Sequence, residues 1–297
     1  MYKTFGFAGL GLMGGSFVKA LRAFYRSRGE EILILALDND VEALVEAKAS
    51  GDIDEGASTN EAAALLSRCD IVFICLYPRS SIAFLIKHRA DFKSGALVTD
   101  ISGVKTELLK ALPDILRDDI DFICGHPMAG SEKEGFMHAD AAIFKGRNYI
   151  IMPLPSNKSE NLHRFKELLI SIGFERITET DFASHDHKIA FTSQLCHVIA
   201  SALVDSAEDT EITAFGGGSY EDLTRIAMIN APLWTELFLA NKEELLAHIA
   251  GFEASLTKFK TYILKSDEAS LEAALRHVRE KRIAMTRRET HIRMAHQ

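Results

Sequence analysis

Cysteine, proline and tryptophan are scarce in this chain, numbering 4, 6 and 1 among 297 residues. The cysteines (Cys69, Cys75, Cys124 and Cys196) form no C-x-x-C pair and no metal-ligand spacing, which excludes a disulfide framework and a bound structural metal. In apolar surroundings such as Ile123-Cys124 they read as free buried thiols suited to a reducing cytoplasm. No run approaches the ~18 apolar residues that a membrane span needs. Met1-Tyr2-Lys3 passes straight into Phe5-Gly6-Phe7-Ala8, so no signal-peptide pattern opens the chain. A basic surplus is missing as well: 34 Lys and Arg stand against 42 Asp and Glu, a net charge of −8. That balance argues against nucleic acid as a partner but leaves room for a small anionic substrate. The expectation is a soluble cytoplasmic protein with no membrane partner.

What is present is ordinary for a globular fold: 47% apolar and 26% charged residues, over a length that suits about two domains. The first half alternates β-rich runs with helical stretches. Thr4–Leu10, Glu31–Leu37, Asp70–Leu76, Ala96–Asp100, Phe122–Gly125, Asn148–Pro153 and Glu175–Thr178 read as strands. Helical patterns follow Leu10 and cover Val41–Ala49, Asn60–Arg68 and Leu162–Ile172, which implies parallel βαβ units in a doubly wound sheet. From Asp181 onward no strand is convincing. Phe182–Ser206, Tyr220–Met228, Leu233–Leu264 and Ala269–Thr290 carry helical periodicity. The expected fold is an α/β Rossmann-type domain over residues 1–179 followed by an all-α domain over 180–297. Near the end, Arg276, Arg279, Lys281, Arg282, Arg287, Arg288 and Arg293 face only Glu280 and Glu289, which reads as a solvated helix face or subunit edge.

Gly9-Leu10-Gly11-Leu12-Met13-Gly14 is a G-x-G-x-x-G turn between a strand and a helix. Gly9 permits the tight turn, Gly11 lets backbone approach a pyrophosphate, and Gly14 lets the helix pack against the strand. The helix opening at Leu12 and Met13 offers free N–H groups and a partial positive charge to phosphates. Asp38 closes the second strand where a ribose hydroxyl would lie. Asn39 follows it in place of the Arg that a 2′-phosphate favours, so NAD is expected over NADP.

Chemistry is sought in polar residues outside this turn. His126 follows an apolar run in Cys124-Gly125-His126-Pro127-Met128-Ala129-Gly130-Ser131-Glu132, at the carboxyl edge of the sheet. It is placed either to accept a hydroxyl proton or to stabilise its loop by bonding backbone. His187, Gln194 and His197 fall near one face of a single predicted helix. Gly216-Gly217-Gly218-Ser219-Tyr220-Glu221-Asp222-Leu223-Thr224-Arg225 is a glycine turn entering a helix. Arg225 there either clamps a substrate carboxylate or pairs with Asp222 on the surface.

Taken together, GLGLMGGS at the first turn, DISGVK at 100–105, GHPMAGSEKEG at 125–135, TSQLCH at 192–197 and GGGSYEDLTRIA at 216–227, with Trp234 and Asn241, resemble the prephenate dehydrogenase family. The resemblance runs in order from about residue 4 to 265. It implies oxidative decarboxylation of prephenate to 4-hydroxyphenylpyruvate with NAD as hydride acceptor, and a homodimer formed through the helical domain. It implies that His126 deprotonates the ring hydroxyl, that His197 binds substrate and that Arg225 holds a carboxylate, with Gln194 and Asp222 nearby. The family pattern G-S-V-K reads Ser102-Gly103 here, so the serine that orients the histidine is displaced by one residue. In the pattern S-H-L-P-H, the first His is Gln194 and the Pro is Cys196, and Ser219-Tyr220 follows the glycines where the family has Gly-Phe. With no room expected for a chorismate mutase segment before Tyr2 or a regulatory domain after Leu264, any inhibition by tyrosine is expected to act at the active site. Three other readings compete. Arogenate or dual-specificity cyclohexadienyl dehydrogenases share the chemistry, β-hydroxyacid dehydrogenases would use Lys188, and a non-catalytic NAD sensor would use no base.

Overall fold

A computed structural model describes residues 2–295, with side chains through Thr286. By compactness it divides between Asn241 and Lys242.

The first unit holds eight strands: β1 (Thr4–Ala8), β2 (Leu33–Leu37), β3 (Glu55–Ala57), β4 (Ile71–Ile74), β5 (Leu97–Asp100), β6 (Asp121–Pro127), β7 (Asn148–Met152) and β8 (Arg176–Glu179). They form one sheet in the order β3-β2-β1-β4-β5-β6-β7-β8. Six helices pack with it: α1 (Leu12–Ser27), α2 (Val41–Ala49), α3 (Ala62–Leu66), α4 (Pro78–Lys87), α5 (Thr106–Ile115) and α6 (Ser159–Ser171). Alternate strand residues go to opposite faces. Phe5, Phe7, Ile34 and Phe73 join Phe17 of α1 and Phe165 of α6, whereas Ala8, Leu35, Val72 and Ile74 join Leu66 of α3, Leu85 of α4 and Leu108 of α5. Both faces are covered, which is why these strands read as continuous apolar runs. The strand order turns outward on either side of the β1/β4 boundary, the switch point where such sheets bind ligands at their carboxyl edge.

Two features of the sheet depart from the sequence reading. The polar turn after Gly51 contains the short edge strand β3, paired to β2. The sheet is also not wholly parallel, because β7 runs antiparallel to β6. The connection between them carries only short 3₁₀ turns at Phe136–His138 and Ala141–Phe144 and no crossover helix, the element that usually returns a strand to parallel pairing.

Every described element after Glu179 is helical. The first unit continues through α7 (Phe182–Ile189), a five-residue π segment (Ala190–Gln194), α8 (Leu195–Asp205), α9 (Gly218–Thr224) and α10 (Ala231–Ala240). The single helix expected over Phe182–Ser206 is therefore interrupted by a π bulge, a device common at functional sites. The helix expected over Leu233–Leu264 breaks at Asn241. That side chain is buried and donates to Asp186 O and Gln194 Oε1, and its backbone leaves helical geometry at φ −117°. Cys69 and Cys124 are buried free thiols, and burial pushes Cys69 up to about 12. Cys75 is half-buried and Cys196 lies on the exposed side of α8, contrary to the expectation that all four are buried.

The second unit consists of α11 (Lys242–Leu264) and α12 (Glu268–Ala295). Ser266 adopts a left-handed conformation at φ 50° between them, and Asp267 Oδ1 accepts the Ser270 N–H to start α12. Phe252, Leu256, Ile263, Leu264, Leu275 and Val278 are exposed on this pair. Of the basic cluster, Arg276 pairs with Glu272 on the same exposed helix, while the side chains of Arg287, Arg288 and Arg293 lie outside those described. No described helix is long and apolar enough to cross a membrane.

Candidate active site

The glycine turn joins β1 to α1 at the switch point. Gly9 has φ +97°, and a side chain there would also collide with the Cys75 carbonyl, 2.6 Å from a built Cβ. At Gly14 a Cβ would lie 2.0 Å from the Gly9 carbonyl oxygen, so only glycine lets α1 sit this close to the turn. Gly11 differs: no atom lies within 4 Å of the place a Cβ would take. That open cradle is at the N-cap of α1, which has no side-chain cap and no acidic residue in the first turn containing Leu12 and Met13. Unbonded N–H groups without a competing carboxylate suit a pyrophosphate. Asp38, just past β2, accepts the Leu10 N–H at 2.5 Å through Oδ2 and the Asp40 N–H at 2.9 Å through Oδ1. Its carboxylate is thereby fixed beside the turn, with lone pairs left for a sugar hydroxyl. Asn39 Oδ1 accepts from Thr59 Oγ1 at 2.8 Å. These residues fit a dinucleotide.

His126 lies on β6, one residue before its end. Protein encloses its ring, although the residue keeps some exposed surface. Burial, then the electrostatic influence of His185 and Lys105 on any proton added to the ring, hold its pKa well below the ordinary 6.5, so the imidazole is neutral near pH 7. Its Nδ1 lies 2.9 Å from His185 Nε2, and His185 Nδ1 lies 2.7 Å from Asp186 Oδ1. Asp186 in turn accepts the Lys105 N–H at 3.0 Å, the Thr106 N–H at 2.8 Å and the Thr106 hydroxyl at 2.6 Å. It therefore ties α7 to the start of α5. Although burial pushes the Asp186 carboxyl up, bonds from His185, Thr106 and Lys105 bring it below its usual value.

Beneath His126, Lys105 and Asp100 form an ion pair in which both side chains are 0% exposed. Lys105 Nζ also donates to the Gly125 carbonyl at 2.6 Å, joining the ends of β5 and β6.

The expected site residues are brought together only in part. Ser102 is buried and its N–H donates to Asp100 Oδ2 at 3.0 Å, but its hydroxyl makes no hydrogen bond to His126. Position 103 is the one that faces the ring: a Cβ built on Gly103 would lie 3.6 Å from His126 Nε2. His187, Gln194 and His197 do not share one environment, because the π segment changes the helical register between the first and the other two. His187 is exposed. Gln194 is buried, donating to Leu237 O at 2.7 Å and accepting from Asn241. His197 stacks on Trp234 with ring centroids 3.6 Å apart and places Nδ1 3.0 Å from Ser193 O. Burial and the Arg225 charge lower its pKa, against the opposing effect of the Ser193 bond.

Arg225 follows the last residue of α9, where the dipole favours a cation, and opens the short 3₁₀ turn Arg225–Ala227. It pairs at 3.3 Å with Glu132 rather than with Asp222, which is exposed. Glu132 belongs to the loop that follows β6, so this contact draws the α9 segment to the β6–β7 connection. The sequence reading passed over His185, Asp186 and Glu132. Their signal was a pair of polar residues on the core-facing side of α7 beside Ile189, and an acid inside the G-H-P-M-A-G-S-E motif.

Family models for the nucleotide-binding domain of prephenate dehydrogenase and for its dimerization domain match residues 21–177 and 181–277. The prephenate dehydrogenase of Lactococcus lactis subsp. cremoris is 30% identical over 273 residues, covering 89% of this chain and 72% of that one. The cyclohexadienyl dehydrogenase of Zymomonas mobilis is 26% identical, covering 96% and 97%. The crystal structure of Aquifex aeolicus prephenate dehydrogenase, solved with hydroxyphenyl propionate and NAD+, is 30% identical and superposes with a TM-score of 0.84 over 95% of this chain and 98% of that one. The two models in chain order, with a sheet and helices that follow the same plan, make this chain a member of the prephenate dehydrogenase family.

Proposed function

We propose that this chain is an NAD-dependent prephenate dehydrogenase, converting prephenate to 4-hydroxyphenylpyruvate and carbon dioxide. The observation that carries the reading is an enclosed, neutral His126 near the end of β6, followed by a loop whose Glu132 holds Arg225. In this reading a base and a carboxylate-binding cation serve one substrate at the carboxyl edge of the sheet. In this reading residues 1–179 bind the cofactor, and residues 180–297 bind substrate and form a homodimer. The exposed apolar residues of α11 and α12 support the dimer, since a second copy would cover them.

Gly9, Gly11 and Gly14 with the first turn of α1 hold the pyrophosphate, and Asp38 takes a ribose hydroxyl. When bound, NAD supplies the hydride acceptor. His126 Nε2 removes the hydroxyl proton at ring C4, and the electron pair of that O–H bond becomes the new carbonyl π bond as C4 gives up its hydride. The bond to the ring carboxylate then breaks to release carbon dioxide, its electrons enter the ring and return the C4 carbonyl π pair to oxygen, and the resulting phenolate regains a proton. Aromatisation drives this step, so the protein supplies orientation and one base. Arg225 and His197 orient the carboxylates, and Arg225 exchanges Glu132 for substrate.

The test is a set of initial rates of NADH or NADPH formation with prephenate and with arogenate, each with NAD and with NADP. The reading requires the prephenate–NAD pair to be fastest. Activity with arogenate alone moves the substrate assignment, and tight NAD binding with no turnover favours a sensor. Arg225→Ala is expected to raise KM for prephenate by about 1.5–3 kcal/mol of lost charge-assisted bonding, with kcat affected less. A KM that does not move returns Arg225 to a surface role. Asp38→Ala is expected to raise KM for NAD and to reduce the ratio of NAD to NADP activity; an unchanged ratio removes Asp38 from ribose recognition.

A further inference from the structure

The contacts of His126 settle which of its nitrogens carries the proton. Asp186 accepts three bonds from Lys105 and Thr106, and its carboxyl is held in the ionised form, which can only accept. His185 Nδ1, 2.7 Å away, must therefore be the donor in that contact. With the Nδ1 proton committed to Asp186, the imidazole tautomer of His185 offers a lone pair at Nε2, so the 2.9 Å contact is made with His126 Nδ1–H as donor. What remains on His126 is the Nε2 lone pair, beside the space at Gly103.

We propose that His185 is the positioning residue of His126, fixing the ring and its tautomer so that Nε2 is presented as the base, with Asp186 anchoring His185 from behind. This rests on the role given to His126 in the proposed function. It also accounts for the base being oriented although Gly103 carries no hydroxyl and Ser102 makes no bond to the ring. When His126 takes a proton at Nε2 it becomes a cation. His185 then accepts from a charged donor, and the Asp186 carboxylate lies next along the chain of bonds, opposite in sign to the charge that forms. The other charged groups around the pair, Lys105 and Asp100, are committed to each other.

The test compares His185→Phe, which fills the space with no polar atom, with His185→Gln, whose amide keeps one acceptor and one donor. In His185→Phe, kcat is expected to fall about 10²-fold while KM for prephenate changes less than threefold and NAD affinity is kept. His185→Gln is expected to recover most of the loss. Long-range nitrogen–proton correlation spectra of the histidine rings give a readout that needs no turnover. They should show His126 protonated at Nδ1 and bare at Nε2 in the wild type at neutral pH, and a mixture of tautomers in His185→Phe. An unchanged kcat in His185→Phe overturns the proposal, as does a retained Nδ1–H tautomer or an equal loss in both variants. A wild type without prephenate turnover would sink the proposed function while the spectra still report on the relay.

Discussion

His126→Asn is expected to lower kcat by about 10²–10⁴-fold, the contribution of one well-placed general base. Asparagine is the informative replacement because its amide nitrogen can stand where Nδ1 stands and still donate to His185, whereas nothing occupies the place of Nε2. Substrate binding should survive, with KM within about threefold of wild type. If the main effect falls on KM, the residue orients substrate and another group takes the proton. The pH profile adds a second check. Burial and the electrostatic influence of His185 and Lys105 hold the His126 pKa well below 6.5. The base is then free throughout the neutral range, and kcat/KM falls only as pH drops through that lowered value. The same shift affects stability. Between the lowered folded pKa and the ordinary unfolded one, the unfolded chain binds more protons, so stability declines as pH is lowered across that window. A rate that already falls on going from pH 8 to 7 would contradict the enclosed-histidine picture.

Lys105→Met is expected to cost about 3–5 kcal/mol of folding stability, because it leaves the Asp100 carboxylate buried without its cation. Asp100 cannot be hydrated where it lies, since both side chains are 0% exposed. The lost bond to Gly125 O also loosens the backbone that carries His126. Pairing the change with Asp100→Asn removes the stranded charge, so the double variant should recover much of the loss in a urea titration. A single variant within about 1 kcal/mol of wild type would show that water or a second cation reaches Asp100.

The sheet was largely legible in the chain because both of its faces are covered, so five of its strands appear as apolar runs with short flanking turns. The edge strand β3 was not, since Glu55–Ala57 is too short and polar to show a period. The direction of β7 was not either, because direction is decided by what the connection carries rather than by the strand's own residues. Among site residues, the glycine turn and His126 stand at element junctions where local chemistry is visible. The His187–Gln194–His197 face failed because one π segment shifts the register of all that follows, a change that a fixed helical period cannot register. His185 and Asp186 looked like ordinary helix polars. Their role depends on Lys105 and Thr106, some 80 residues earlier in the chain. Ser102 was weighed by its distance from Lys105 in sequence, whereas the fold turns position 103 toward the ring.

The central claim is oxidation coupled to decarboxylation, and the most direct test measures both products in one reaction. Purified protein given prephenate and NAD should form NADH and release carbon dioxide in equal amounts, with 4-hydroxyphenylpyruvate as the organic product. NADH without carbon dioxide, or neither product from a chain that binds both ligands, would contradict the account.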